Sequence, residues 1–178
     1  MMARHPYPPF YARGPWSNYS DRKTGSYLGR YTTSVDDMIE EFVHPQTYGD
    51  HLDLRELILT NAAKGMRLDI QVGGQASFSL SHYDETKWCT ARGATTGQQQ
   101  IYFDGLHWGE KLCEGSIYSG SYLTKQKQVY AHFDYYQMGL GNGSCNNVAT
   151  LDTYKCPTTG NHTYTLRFKP STFEKTNF

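Results

Sequence analysis

The stretch Met66-Arg67-Leu68-Asp69-Ile70-Gln71-Val72 alternates apolar and polar side chains without a break. Because successive side chains of a β-strand point to opposite faces, this pattern predicts a strand with one dry face and one wet face. Ser77-Phe78-Ser79-Leu80-Ser81 repeats the alternation, and Gly73-Gly74 between the two runs predicts a hairpin turn. The middle of the chain is therefore expected to be antiparallel β-structure.

Further strands are predicted on both sides of this pair, separated by turns rich in glycine, asparagine and proline. They are Leu54–Thr60, Gln100–Phe103, Ser116–Leu123, Gln128–Tyr136, Val148–Tyr154 and Thr163–Phe168. The spacing leaves no room for crossover helices. It predicts a mainly β fold, an antiparallel β-sandwich or jelly-roll-like barrel of about eight strands.

One short N-terminal helix is predicted over residues 34–43. Ser34 can cap its first turn, and His44-Pro45 ends it. One face of the helix is apolar and consists of Val35, Met38, Ile39 and Phe42. The helix is expected to open a single β-sandwich domain spanning residues 34–170.

Residues 1–33 have a different composition, with four of the seven prolines, five tyrosines and Leu28 as the one branched aliphatic residue. Such a segment cannot build a core of its own, so it is interpreted as an extended docking arm. Its aromatic rings would bury themselves on another surface. These assembly residues are Tyr7, Phe10, Tyr11, Trp16 and Tyr19, and residues 171–178 are predicted to form a C-terminal tail.

Charge and hydropathy limit the classes of partner. The chain has a formal net charge of zero, while residues 1–33 carry five cations against Asp21, a net charge of +4. That excess is small for a nucleic-acid tail, so binding to nucleic acid is not expected. There is no apolar run of about 18 residues and no secretory signal, so no membrane span is predicted. A virion or an extracellular assembly is the favoured location.

The four cysteines form an even set, which is compatible with two disulfides. Cys145 and Cys156 could close a short, turn-rich loop, which would leave Cys89 and Cys113 as the second pair. None of the spacings is a tight zinc-binding pattern, so neither a metal nor another cofactor is expected.

Histidines beside carboxylates are the candidates for catalysis. The pairs are His82 with Asp84, Asp104 with His107, and His132 with Asp134 on one face of a predicted strand. No nucleophile elbow, phosphate-binding glycine loop or zinc-protease helix accompanies them. The chain is therefore expected not to be an enzyme.

Loop aromatics form a second candidate site. Flat amphipathic rings in loops between strands can stack on sugars or on a partner protein. This candidate surface for a glycan or a partner consists of Tyr83, Trp88, Tyr102, Trp108, Tyr118 and Tyr122, with His82 and His107 beside them.

The segment from Phe78 to Tyr83, running into Lys87-Trp88-Cys89, resembles the strand-and-loop signature of fungal fruit-body lectins and the related actinoporin-like β-sandwiches. That resemblance implies binding to sugars or membrane headgroups. It covers only these residues, and the headgroup cluster of that family is not matched, so the chain is not assigned to it.

Two functions follow from these patterns. The first is a non-enzymatic structural subunit of a virion, tube or filament, which self-associates through its N-terminal arm and has copies of itself or other structural proteins as partners. The alternative is a glycan-binding, lectin-like β-sandwich that uses the loop aromatics.

Overall fold

The computed structural model describes residues 9–38, 49–82, 125–139 and 151–173 of the 178. The predicted strands Gln100–Phe103 and Ser116–Leu123 lie outside these ranges. Among the described residues, none of the helical segments has the length and apolarity that a bilayer span requires.

Antiparallel β-structure dominates the described residues, as the alternating sequence predicts. The strands are β1 Pro9–Gly14, β2 Tyr27–Thr32, β3 Glu56–Asn61, β4 Met66–Gly73, β5 Ser77–Ser81, β6 Tyr130–Asp134 and β7 Thr165–Thr172. The five-stranded sheet has the order β2-β1-β3-β4-β7, and β5 pairs with β6 in a two-stranded sheet. Short 3-10 turns occupy Lys23–Gly25, Asp36–Met38, Ala62–Lys64 and Asp152–Tyr154. The mainly β, sandwich-type fold is thereby confirmed.

The chain divides into two compact units. One comprises residues 1–34, 50–79 and 132–178 and holds the five-stranded sheet. The other comprises residues 35–49 and 80–131. Within this second unit, Lys125 Nζ lies 2.6 Å from the Asp36 carboxylate, and His82 Nδ1 lies 2.8 Å from the backbone oxygen of Gln128.

The core of the first unit lies on one face of the five-stranded sheet. Phe10 is paired with Leu57, and Leu57 with Ile70, so these three side chains share a face and all are buried. The ring of Phe10 packs edge-on against Phe78, with centroids 5.3 Å apart. Burying a side chain of this size contributes about 1.5–3 kcal/mol, so β1 is a principal source of stability.

The described part of the predicted docking arm therefore belongs to the sheet. β1 and β2 pair along their full lengths, and Phe10 and Tyr19 are buried within this chain rather than on a neighbour. Tyr11 is half-buried beneath the Arg30 guanidinium, whereas Trp16 is 69% exposed. Tyr7 lies outside the described residues. β1 and β2 join the sheet despite the low aliphatic content of residues 1–33, because aromatic rings supply the apolar area that aliphatic side chains usually provide.

The predicted hairpin at Gly73-Gly74 is wrong. β4 pairs with β3 and β7, while β5 belongs to the other sheet, so the chain passes between sheets at this point. Gly74 has a φ of 99°, a backbone conformation that residues other than glycine rarely adopt. One face of β5 was also predicted to be exposed to solvent. That prediction is wrong, because all five residues of the strand are buried.

Three other boundaries differ from the sequence expectation. The leading helix is represented by the 3-10 turn Asp36–Met38, and residues 39–43 lie outside the described ranges. β7 continues to Thr172, into the predicted tail. Where a strand is predicted over Val148–Tyr154, the described part instead forms the 3-10 turn Asp152–Tyr154.

Candidate functional site

The connection between β1 and β2 is held by Arg13. Its side chain forms an ion pair with Asp53, and its Nη1 donates hydrogen bonds to the backbone oxygens of Ser26, at 2.8 Å, and Lys23, at 3.2 Å. A planar guanidinium can satisfy several acceptors at once, so one side chain fixes both ends of the connection.

Asn18 anchors the middle of the same connection and is 2% exposed. Its Nδ2 donates to the backbone oxygens of Arg13, at 3.1 Å, and Trp16, at 3.0 Å, while its Oδ1 accepts the Leu52 N–H at 3.1 Å. Its own N–H donates to the Asp50 carbonyl at 2.7 Å. The turn is therefore tied to the segment that leads into β3.

Asp50 contributes a buried carboxyl beneath this connection and is 1% exposed. Burial is the main cause that raises its pKa, the Ser77 hydroxyl and the His51 N–H partly oppose the rise, the nearby Asp134 carboxylate adds to it, and the net pKa is about 8. Neither Asp50 oxygen nor Ser77 Oγ has a partner at normal hydrogen-bond geometry among the described residues. The carboxyl is thus held mostly protonated at neutral pH and enclosed away from solvent.

His51 has a structural role. Its ring stacks on Phe78 at 5.3 Å and contacts Phe10 at 5.1 Å, and its Nδ1 lies 3.0 Å from the Arg13 carbonyl, to which the protonated nitrogen donates. The side chain is fully buried, so it is not positioned to act on a substrate.

A cavity of about 290 Å³ opens beside this polar cluster. Its walls combine three tyrosine rings with hydroxyl, amide and charged side chains, and we call it the tyrosine cavity. Its lining residues are Ser20, Lys23, Leu52, Asp53, Gln75, Ala76, Ser77, Tyr135, Tyr136, Gln137, Thr153 and Tyr154. It is a half-enclosed space with both flat apolar surfaces and hydrogen-bonding groups.

Two buried hydroxyls of the cavity wall stand out. The Oγ atoms of Ser20 and Ser77 are shielded from solvent and have no hydrogen-bond partner among the described residues. Because neither atom is exposed to solvent, neither is open to a molecule in the cavity, and the Ser77 hydroxyl already faces the Asp50 carboxyl.

The predicted catalytic pairs do not form a site in the described residues. His132 and Asp134 lie on the same strand, as predicted, but the Asp134 carboxylate accepts a hydrogen bond from Gln137 Nε2 at 3.1 Å. His82 Nε2 lies 3.9 Å from Asp36. Asp84, Asp104 and His107 lie outside the described residues.

The other predicted sites are largely outside the described ranges. This holds for the loop aromatics Tyr83, Trp88, Tyr102, Trp108, Tyr118 and Tyr122, and for Cys89, Cys113 and Cys145. Cys156 is exposed on the described surface. The two disulfides therefore remain predictions.

Sequence reasoning missed the polar cluster of Asn18, Asp50 and His51 and the hydroxyl of Ser77. The available signal was the turn dipeptide Gly14-Pro15, which marks a chain reversal and hence argues against an extended arm. A polar residue that becomes buried has no such local signature.

Comparison with known proteins decides the family. The family model described as the β-galactosidase small chain matches residues 7–168. The chain belongs to the β-galactosidase small-chain family. The match starts within the predicted arm and ends in β7, so it takes in nearly all of the described structure.

Individual β-galactosidases match over shorter shares of their own length. The enzyme of Staphylococcus xylosus is 26% identical over 136 residues, which are 76% of this chain and 11% of that protein. That of Lactococcus lactis is 25% identical over 161 residues, 90% of this chain and 13% of that protein. That of Priestia megaterium is 40% identical over 82 residues, 42% of this chain and 8% of that protein. The small-chain sequence thus spans about a tenth of the length of these relatives.

Membership in the small-chain family corrects the functional predictions. The interpretation as a virion, tube or filament subunit is wrong, and with it the expected structural partners and the favoured virion or extracellular location. The lectin alternative is not supported, because the matching proteins are glycosidases. The expectation that the chain is not an enzyme is contradicted as well, because the family model and the matching proteins are those of β-galactosidases.

Proposed function

We propose that this chain is the small-chain module of a β-galactosidase and supports hydrolysis of β-galactosides by the larger enzyme. The family match over residues 7–168 is the observation that carries the proposal. The chain spans about a tenth of its relatives, so the partner is the remainder of a β-galactosidase polypeptide.

The chemistry of the described carboxyls fits a supporting role. Hydrolysis of a glycosidic bond normally needs two carboxyl groups flanking that bond, one of them kept protonated near neutral pH. Asp50 has the raised pKa, but it is 1% exposed and cannot reach a substrate. The catalytic pair is therefore assigned to parts of the enzyme beyond the described residues.

Two half-buried carboxyls of the five-stranded sheet are engaged in other contacts. Glu56 and Asp69 form ion pairs with Arg30 and Arg67, at 2.6 Å in both cases. Both carboxylates are therefore already held by arginine side chains of the same five-stranded sheet.

A fusion experiment tests the proposal. The matched segment of the Staphylococcus xylosus enzyme is deleted and then replaced by this chain, and hydrolysis of nitrophenyl β-galactoside is measured. We expect no hydrolysis by the chain alone, little by the truncated host, and recovery in the fusion. A fusion carrying Phe10→Ala, which disrupts the core, is the control and should recover less. Hydrolysis by the chain alone, or a folded fusion without recovery, would contradict the proposal.

A further inference from the structure

One face of the five-stranded sheet carries a groove lined by charged side chains, and we call it the charged groove. Alternation along the strands places it on the face opposite the buried Leu57 and Ile70. We propose that it docks an extended acidic segment belonging to the remainder of the β-galactosidase polypeptide. The inference rests on the proposed function and deepens it by naming a contact surface. The lining residues are Glu56, Arg67, Asp69, Gln71, Arg167 and Lys169.

The register of three neighbouring strands builds the groove. Glu56 on β3 is paired with Gln71 on β4, which is in turn paired with Arg167 on β7. In the next row, Asp69 on β4 is paired with Lys169 on β7. The groove has a volume of about 290 Å³ and rests on regular strands, so its charges have fixed positions.

Both carboxylates of the groove are neutralised within the sheet. Glu56 forms an ion pair with Arg30 on β2, and Asp69 forms one with Arg67 on its own strand, at 2.6 Å in each case. Neither carboxylate is therefore left to neutralise the cations of β7.

The two cations of β7 have no such partner. Arg167 and Lys169 are exposed, and neither forms an ion pair with a carboxylate in the described part of the chain. Together with Arg30, the groove has four cations against two carboxylates, a net charge of +2. Such a surface attracts a partner with carboxylates and repels one with cations.

The spacing of these two cations matches an extended peptide. Residues two apart on a strand lie on the same face, about 7 Å from each other. An extended segment with Asp or Glu at every second position repeats its carboxylates at the same distance, so both ion pairs can form at once. The side-chain amide of Gln71, beside Arg167, adds a donor and an acceptor for the main chain of the segment.

The segment is assigned to the same enzyme because exposed ion pairs are individually weak. Within one assembled enzyme the effective concentration of a segment is high, so a few weak contacts suffice to hold it. The chain spans about a tenth of the length of its relatives, which leaves ample polypeptide to supply the segment. A nucleic acid would require a larger positive excess than +2.

Peptide binding to the full chain tests the surface directly. The probe is a short, fluorescently labelled peptide in which aspartate alternates with threonine, and its anisotropy is followed at low salt. We expect saturable binding that the double variant Arg167→Glu/Lys169→Glu weakens at least about tenfold, because each attraction becomes a repulsion. A peptide with asparagine in place of aspartate should not bind.

The matched control is the double variant Arg22→Glu/Lys127→Glu. It makes the same change in net charge at two exposed cations outside the groove. It should bind the acidic peptide within about twofold of the parent, since long-range charge effects are small beside a direct contact. Circular dichroism checks that each variant is folded.

The fusion that tests the proposed function shows whether the contact forms within the enzyme. We expect the fusion carrying Arg167→Glu/Lys169→Glu to recover several-fold less hydrolysis of nitrophenyl β-galactoside than the parent fusion. The fusion carrying Arg22→Glu/Lys127→Glu should recover as much as the parent fusion.

The outcomes separate the docking surface from the proposed function. No binding of the acidic peptide, or equal weakening by the two double variants, overturns the surface. Tighter binding of inorganic phosphate than of the peptide also overturns it, as does full recovery of hydrolysis by the fusion with reversed β7 charges. If the parent fusion recovers hydrolysis but the peptide does not bind, the surface is refuted and the proposed function stands. A parent fusion without recovery contradicts the proposed function, and the assignment of the acidic segment to this enzyme falls with it.

Discussion

At the scale of single residues, the buried carboxyl of Asp50 makes stability depend on pH. Its pKa is about 8 in the folded protein and 3.8 in the absence of the fold. Between these values the unfolded chain releases the proton and the native state keeps it, so the free energy of unfolding falls as pH rises. This group lowers the free energy of unfolding by up to about 1.4 kcal/mol per pH unit, and its contribution stops changing above pH 8.

Asp50→Asn removes this titration, so urea unfolding should show a smaller loss of stability between pH 5 and pH 8 than in the parent. At pH 8 the variant is expected to be the more stable of the two. Asp152→Asn is the control, because Asp152 is exposed and its pKa is lowered by Lys155. A parent protein with the same stability at both pH values would contradict the prediction.

Asn18 is the second residue whose effect can be predicted. Removal of its amide takes the side-chain partner from the Leu52 N–H and from the Trp16 carbonyl, and it removes one of the two side-chain hydrogen bonds to the Arg13 carbonyl. We expect Asn18→Ala to lower the free energy of unfolding by about 2–4 kcal/mol, measured by urea denaturation. Asn61→Ala removes a single exposed cap hydrogen bond to the Lys64 N–H and should cost about 1 kcal/mol. Equal losses in the two variants would show that Asn18 does not tie the connection down.

At the scale of elements, β1 can be tested as a part of the core. Phe10 is 2% exposed and Trp16 is 69% exposed, although both were predicted to dock on another molecule. Phe10→Ala should cost about 3–5 kcal/mol in thermal or urea unfolding, because it leaves a cavity among Leu57, Phe78 and His51. Trp16→Ala is the matched aromatic control and should cost less than about 0.5 kcal/mol. If both variants kept the parent stability, β1 would not be a core strand.

Alternation along the chain predicted some elements well and others poorly. β4 and β5 were found almost to the residue, because their apolar side chains recur with a period of two. β1 and β2 were not predicted. Pro9–Gly14 and Tyr27–Thr32 are rich in aromatic, glycine and arginine residues, a composition that is also typical of loops. The hairpin at Gly73-Gly74 failed because a glycine pair can equally carry the chain from one sheet to another.

The candidate site was harder to predict than the fold. Ser20, Ser77 and Tyr136 are far apart in sequence and meet only through the pairing of strands that sequence periodicity does not specify. The buried state of Asp50 likewise depends on long-range packing. Neither has a signature in a single sequence, whereas a strand has its period.

At the scale of the whole molecule, the chain matches only a small part of much longer relatives. One region of its five-stranded sheet has the exposed apolar surface expected of a contact with the rest of such a protein. The apolar face that carries Ile70 continues to Met66 and Phe168, which are 53% and 51% exposed. Leu68 on the same face is half-buried. Exposed apolar surface of this kind commonly marks a contact with another part of an assembly.

The isolated chain should therefore self-associate through this end of the sheet. In sedimentation velocity, the weight-average sedimentation coefficient of the parent is expected to rise with concentration, and that of Phe168→Lys to stay near the monomer value. The Phe168 ring is half-exposed and meets Phe133 edge-on at 6.1 Å, so the substitution should leave the fold intact, as circular dichroism can check. Trp16→Lys is the control, because it introduces the same charge in place of an exposed ring in the connection between β1 and β2. If Trp16→Lys prevented association and Phe168→Lys did not, the contact would lie at that connection and not at the β7 edge.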